Sequence, residues 1–167
     1  MSTKKLVRCG LVAALYVVLC MALQPLSFGA VQIRFAEALV LLPVFGAEYI
    51  AAAVLGCFLS NLLGSVLPDV IFGTLATLLA CLVTYRLRSI RWKGLAIPAA
   101  IPPVVFNALI VGPEIAFFFS DSPATAPLVA WNAFTVGVGE VISCMVLGVL
   151  FAKLIESTPA LNKLVRA

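Results

Sequence analysis

Val31-Gln32-Ile33-Arg34-Phe35-Ala36-Glu37-Ala38-Leu39 opens an apolar run that continues to Phe45, and whether this run crosses a membrane decides the fold of the chain. A helix over 33–45 reaches about 20 Å at 1.5 Å per residue, short of the roughly 30 Å of a bilayer's hydrocarbon layer. It also carries Arg34 and Glu37 in its first turn. Length and local charge therefore leave the crossing open, and the surrounding sequence has to settle it.

That surrounding sequence is 63% hydrophobic and 11% charged over 167 residues, with a mean hydropathy of +1.18. Such values define an integral membrane protein and leave no room for a soluble domain, so residues 1–167 form one transmembrane unit. Apolar runs broken by charge, proline or glycine predict helices at about 6–23, 33–45, 48–66, 70–87, 95–112 and 128–154. Ten of the eleven lysines and arginines fall in three clusters: Lys4, Lys5 and Arg8; Arg86, Arg88, Arg91 and Lys93; Lys153, Lys163 and Arg166. Cytoplasmic segments collect lysine and arginine, which requires an even number of crossings between clusters. Counting 33–45 gives four crossings and then two; omitting it would put the Arg86–Lys93 cluster outside. The expectation is an all-α protein of six transmembrane helices with both termini cytoplasmic.

In this topology 24–32, 66–69 and 113–127 are external. The last carries Glu114, Asp121 and Pro123 without a basic residue, as an external loop should. Pro98, Pro102 and Pro103 predict a kink or late start in the fifth helix. Lys4-Lys5 and the apolar run after it imitate a signal peptide, but no A-x-A site follows, so a retained first span is expected.

The net charge of +4 comes from basic clusters at the membrane edge and implies no nucleic-acid partner. Cys9, Cys20, Cys57, Cys81 and Cys144 form no C-x-x-C pair and read as packing residues. There is no histidine, which argues against metal-hydrolase and Ser-His chemistry.

Charged side chains inside a span cost about 2.5–3.5 kcal/mol at its centre and usually face a cavity or a partner. Arg34 and Glu37 begin the second helix, Asn61 lies near the end of the third, and Asp69, Thr74 and Thr77 occupy the first half of the fourth. Asn107 lies late in the fifth; Trp131, Asn132, Thr135 and Glu140 lie in the first half of the sixth. All map to the external half, and polar groups from five helices at one depth predict a single outward-facing pocket. Simpler roles exist for several of them. Arg34 and Glu37 can neutralise each other at i,i+3, Asp69 after Pro68 can cap its helix, and Trp131 can anchor at the interface. Glu140 is too deep for an interfacial role. On the first helix, Gly10 and Ala14 form a small-x-x-x-small face suited to close helix contact, within this chain or with another.

Gln32-Ile33-Arg34-Phe35-Ala36-Glu37-Ala38-Leu39, Leu55-Gly56-Cys57-Phe58-Leu59-Ser60-Asn61-Leu62-Leu63-Gly64 and Asp69-Val70-Ile71-Phe72-Gly73-Thr74-Leu75-Ala76-Thr77 resemble the signature segments of the QueT family. These are substrate-binding S-components of energy-coupling factor (ECF) transporters associated with queuosine precursors. The resemblance implies a six-helix S-component in a prokaryotic plasma membrane, without enzymatic activity or a cofactor of its own. ATP would be used by two separate ATPase subunits, in keeping with the lack here of a G-x-x-x-x-G-K-[ST] loop. Gly10 and Ala14 match the positions that dock on a transmembrane coupling subunit, with glycine where the family usually has alanine.

The implied substrate, 7-aminomethyl-7-deazaguanine or a close relative, offers a guanine edge and an ammonium group. A carboxylate accepts paired hydrogen bonds from that edge, and a second neutralises the cation. Glu37, Asp69 and Glu140 are the candidates, with Asn61 and Asn107 for the remaining polar contacts and Trp131 or Phe35 for stacking. Arg34 would bond the ring carbonyl or hold Glu37. Another flat heterocyclic vitamin would suit the same inventory. An intramembrane acid–base enzyme using the three carboxylates lacks a nucleophile and base pair, and a structural bundle does not account for the polar convergence.

Overall fold

The computed structural model describes residues 3–23, 34–120 and 122–166. The expected external segment 24–32 lies outside the described residues, as do Gln32, Ile33 and Asp121. Each of the six apolar runs forms a helix: α1 (Thr3–Ala22), a 3-10 helix (Phe35–Val44), α2 (Glu48–Gly64), α3 (Leu67–Arg86), α4 (Ile97–Phe118) and α5 (Ala126–Ser157). A short helix, α6 (Pro159–Arg166), follows. The protein is all-helical among the described residues. Four helices, α1, α3, α4 and α5, are long and apolar enough to cross a membrane, and the other two apolar helices are shorter.

The run that opened the sequence reading is wound as a 3-10 helix from Phe35 to Val44. Glu37 N–H bonds to the Arg34 carbonyl at 2.9 Å and Phe45 N–H to the Leu42 carbonyl at 2.9 Å, the i to i−3 pattern of that helix. Its rise of about 2.0 Å per residue lets ten residues extend about 20 Å, where an α-helix of that length would reach about 15 Å. Ala36, Glu37 and the whole stretch Leu39 to Val44 are buried, so this segment is the axis around which the longer helices pack. Only a sequence apolar on every side can occupy that position.

Helix α4 starts at Ile97 and runs through Pro102, Pro103 and Pro113 to Phe118. It neither starts late nor ends before Pro113, and its last turns take up part of the segment expected as an external loop. Proline removes the N–H that would reach the carbonyl four residues back. For Pro103 that carbonyl belongs to Ala99, and the Thr84 hydroxyl of α3 donates to it at 2.8 Å. A neighbouring hydroxyl thus repairs the break, as happens in apolar surroundings. In α5, Val141–Gly148 is wound as a π-helix inside an otherwise continuous helix.

Basic residues from all three clusters meet at one end of the bundle. Lys5 pairs with Glu48 at 3.0 Å, and Arg91 pairs with Glu156 at 2.7 Å. Arg8 donates to the carbonyls of Leu164 and Val165 at 2.7 and 3.1 Å. All five cysteines are buried and free of disulfides, as packing residues should be.

Close approach of α4 and α5 depends on Gly112, where an added Cβ would lie 2.5 Å from Ala133 Cα. Gly112→Ala is expected to lower the thermal unfolding midpoint in detergent, at a cost of about 1–3 kcal/mol. Gly10→Ala, with open space around Gly10, is expected to leave it unchanged or raise it, because alanine is favoured over helix-interior glycine by roughly 0.5–1 kcal/mol.

Candidate functional site

The start of the 3-10 helix carries two opposite charges into the bundle. Arg34 Nη2 lies 2.9 Å from Asp69 Oδ2, at the start of α3, and both residues are buried. Glu37 is 1% exposed, and its Oε1 accepts a hydrogen bond from the Tyr16 hydroxyl of α1. From α5 comes Glu140, whose Oε2 accepts from the Cys144 thiol at 3.3 Å. That thiol also lies 3.2 Å from the Glu37 carbonyl. The four-residue spacing of Glu140 and Cys144 puts both on the face that meets the 3-10 helix.

Helices α2 and α3 frame the other side. Asn61 Nδ2 donates to the Asp69 carbonyl at 2.9 Å, and the Thr77 hydroxyl donates to the Gly73 carbonyl at 3.0 Å. Gly73 permits this packing: a Cβ there would sit 2.8 Å from both Asn61 Nδ2 and Asp69 Oδ1.

Several buried atoms of this region have no hydrogen-bond partner among the described residues: Glu37 Oε2, Asn61 Oδ1, Asp69 Oδ1, Thr74 Oγ1, Asn107 Nδ2 and both oxygens of Glu114. Buried polar atoms are ordinarily satisfied, because leaving one bare costs about 1–3 kcal/mol. Orphans shared among four helical segments therefore gather donors and acceptors that polar ligand atoms could meet. Its acidic and basic groups are also unequal in number. Among the described buried residues there are four carboxylates, Glu37, Asp69, Glu114 and Glu140, and one guanidinium, that of Arg34.

Arg34, Glu37, Asn61, Asp69, Asn107 and Glu140 are all buried, and the hydrogen bonds and ion pair above join most of them. Trp131 stands apart. It is 61% exposed and its ring packs beside Phe134 at 6.0 Å. Nine residues at 100° each put it on the side of α5 opposite Glu140, which fits an interfacial anchor. Asp69 does not cap its helix: the N-cap is Val66 and Asp69 lies inside the first turn, where its side chain serves Arg34. Gly10 and Ala14 are exposed on α1, so their small face is not covered by another helix among the described residues.

Three contributors escaped the sequence reading. Glu114 was expected in an external loop, yet α4 continues past Pro113 and Glu114 is 3% exposed. The available signal was its spacing of seven from Asn107, two helical turns on the same face. Tyr16 and Cys144 looked like ordinary apolar-span residues, and only their partners distinguish them. Glu114 also borders a cavity of about 140 Å³ shared with Phe72 and Phe118. A larger cavity, about 620 Å³, lies at the basic end between α1 and α6 beside Lys4, Arg8 and Lys163, remote from the carboxylates.

Helices of this length and apolarity, gathered around buried polar residues, define a multi-pass membrane protein. The family model described as QueT transporter matches residues 6–157, and the chain belongs to that family. It is 42% identical over 78 residues to the queuosine precursor transporter QueT of Lactococcus lactis subsp. cremoris, an alignment that covers 46% of this chain and 46% of the relative. The chain is thus matched over about half the length of that relative. No solved structure matches it.

The Arg34–Asp69 pair can be tested by stability. Asp69→Asn is expected to cost up to about 3–5 kcal/mol by removing the carboxylate that pairs with a buried guanidinium. The double variant Arg34→Leu/Asp69→Leu, which removes both charges, is expected to unfold at a higher temperature than either single leucine variant.

Proposed function

We propose that this protein is the substrate-binding S-component of an ECF-type importer for a queuosine precursor. In this reading six helices cross the plasma membrane of a prokaryote with both termini in the cytoplasm. The gathering of the three basic clusters at one end of the bundle supports that orientation. The crossing at 35–44 is short, and its 3-10 winding supplies the extra reach.

The observation that carries the proposal is the set of unpartnered buried polar atoms on Glu37, Asn61, Asp69, Asn107 and Glu114, in a chain belonging to a transporter family. Together they offer acceptors and donors around a flat polar ring. The carboxylate excess suits a ligand that brings a positive charge, and 7-aminomethyl-7-deazaguanine or a close relative has both features. The protein acts by capture and translocation and carries no catalytic role. ATP is hydrolysed in two separate ATPase subunits, reached through a transmembrane coupling subunit.

Docking on that coupling subunit falls to α1. Its face containing Gly10 and Ala14 is continuous with Val7, Leu11 and Val18, all exposed, and nothing within 4 Å of Gly10 would meet an added Cβ. Such a face lets another helix approach closely.

Two measurements test the proposal. Calorimetry on the purified protein in nanodiscs should show tighter binding of the aminomethyl precursor than of guanine, and equal affinities would remove the carboxylate excess from the explanation. Gly10→Leu should abolish co-purification with the coupling and ATPase subunits while leaving precursor binding intact; normal assembly would place the docking face elsewhere.

A further inference from the structure

We infer that Glu37 and Glu140 form the seat for a primary ammonium group of the ligand, while the Arg34–Asp69 pair is part of the wall facing the uncharged ring. The inference rests on the reading that the buried site holds a flat heterocycle bearing such a group, and it divides the carboxylates between two tasks.

Ligand atoms of Glu37, Glu140 and Cys144 all lie within 4.8 Å of one another. Glu37 and Glu140 are 1% and 4% exposed, so water screens neither. Two carboxylates this close inside an apolar layer repel unless something positive or a proton lies between them. Tyr16 and Cys144 each supply a neutral donor to this pair. Glu37 Oε2 remains without a hydrogen-bond partner among the described residues. By contrast, Asp69 already holds a full positive charge 2.9 Å away on Arg34. A second cation would enter beside that guanidinium at an electrostatic disadvantage. The place for a ligand cation is therefore the Glu37–Glu140 pair.

An ammonium group suits the pair better than a metal ion. It presents three donors and needs only acceptors, which the carboxylate oxygens supply. A metal ion would call on Cys144 as a thiolate. Here its sulfur lies against two oxygens, Glu140 Oε2 and the Glu37 carbonyl, positions that favour a thiol donating a proton. The π-helical stretch that begins at Val141 carries Cys144, and such stretches often occur at functional sites.

The test crosses two ligands with three proteins. The ligands are 7-aminomethyl-7-deazaguanine and the same ring with a nitrile in place of the aminomethyl group; the proteins are wild type, Glu37→Gln and Glu140→Gln. All are measured by calorimetry in nanodiscs, with thermal unfolding to identify any variant that fails to fold. The wild type should prefer the aminomethyl compound by about 10- to 100-fold, the worth of one charge-assisted contact. Either glutamine variant should erase that preference by losing more affinity for the aminomethyl compound than for the nitrile. Should one variant not fold, the other and the wild-type preference still decide. A variant that loses equal factors for both ligands, or a wild type without preference, overturns the ammonium seat while sparing the importer reading. A wild type that binds neither ring overturns both. A stoichiometric metal in wild-type protein, found by mass spectrometry and lost in Glu140→Gln, would replace the seat by a metal site.

Discussion

A buried charge in an apolar bundle is tolerable only when it is matched, and the contact between Arg34 and Asp69 is where this protein meets that condition. Both groups are almost fully enclosed and 2.9 Å apart. Their attraction compensates for lost hydration, though a buried ion pair rarely adds net stability over apolar packing. What it adds is register. It ties the beginning of the 3-10 helix to the first turn of α3, and that first turn in turn holds Asn61 through the Asp69 carbonyl. Change the register of α3 and Arg34, Asn61 and Asp69 lose these contacts together.

The second constraint is the winding of the central segment. A ten-residue 3-10 helix is unusual, because its hydrogen bonds are poorer than those of an α-helix and runs beyond three or four residues are uncommon. Here it is enclosed on nearly all sides by longer helices, whose packing offsets the weaker internal geometry. The segment gains length and places Glu37 between Tyr16 of α1 and Cys144 of α5. The π-helical stretch of α5 answers it from the other side. Two departures from α-helical winding meet at the carboxylates, where local irregularity serves the site.

Much of the helix layout was legible in the residues because apolar periodicity and interruptions by charge are local properties. The buried roles of Arg34, Glu37, Asn61, Asp69, Asn107 and Glu140 could be suspected because a polar group in an apolar run is costly wherever the run folds. Glu114 was not legible as buried, since Pro113 ordinarily marks a helix boundary and the packing of α4 against α3 and α5 overrides that preference. Trp131 shares the depth of the buried polar residues, and depth does not distinguish the two sides of a helix. Asp69 looked like a cap because Pro68 precedes it, and its partner lies 35 positions earlier in the chain.

The sequence by itself determined that this is a membrane protein, where its helices run, and which residues are too polar to lie idle in lipid. Those follow from hydropathy, from charge distribution and from residue spacing, all of which act locally along the chain. Tertiary structure alone decided that Arg34 answers Asp69, that Glu37 meets Tyr16 and approaches Glu140, that Glu114 turns inward, and that 35–44 winds as a 3-10 helix. Pairing and winding of this kind depend on which helices are neighbours, and that depends on the fit of whole surfaces more than on any short stretch of sequence.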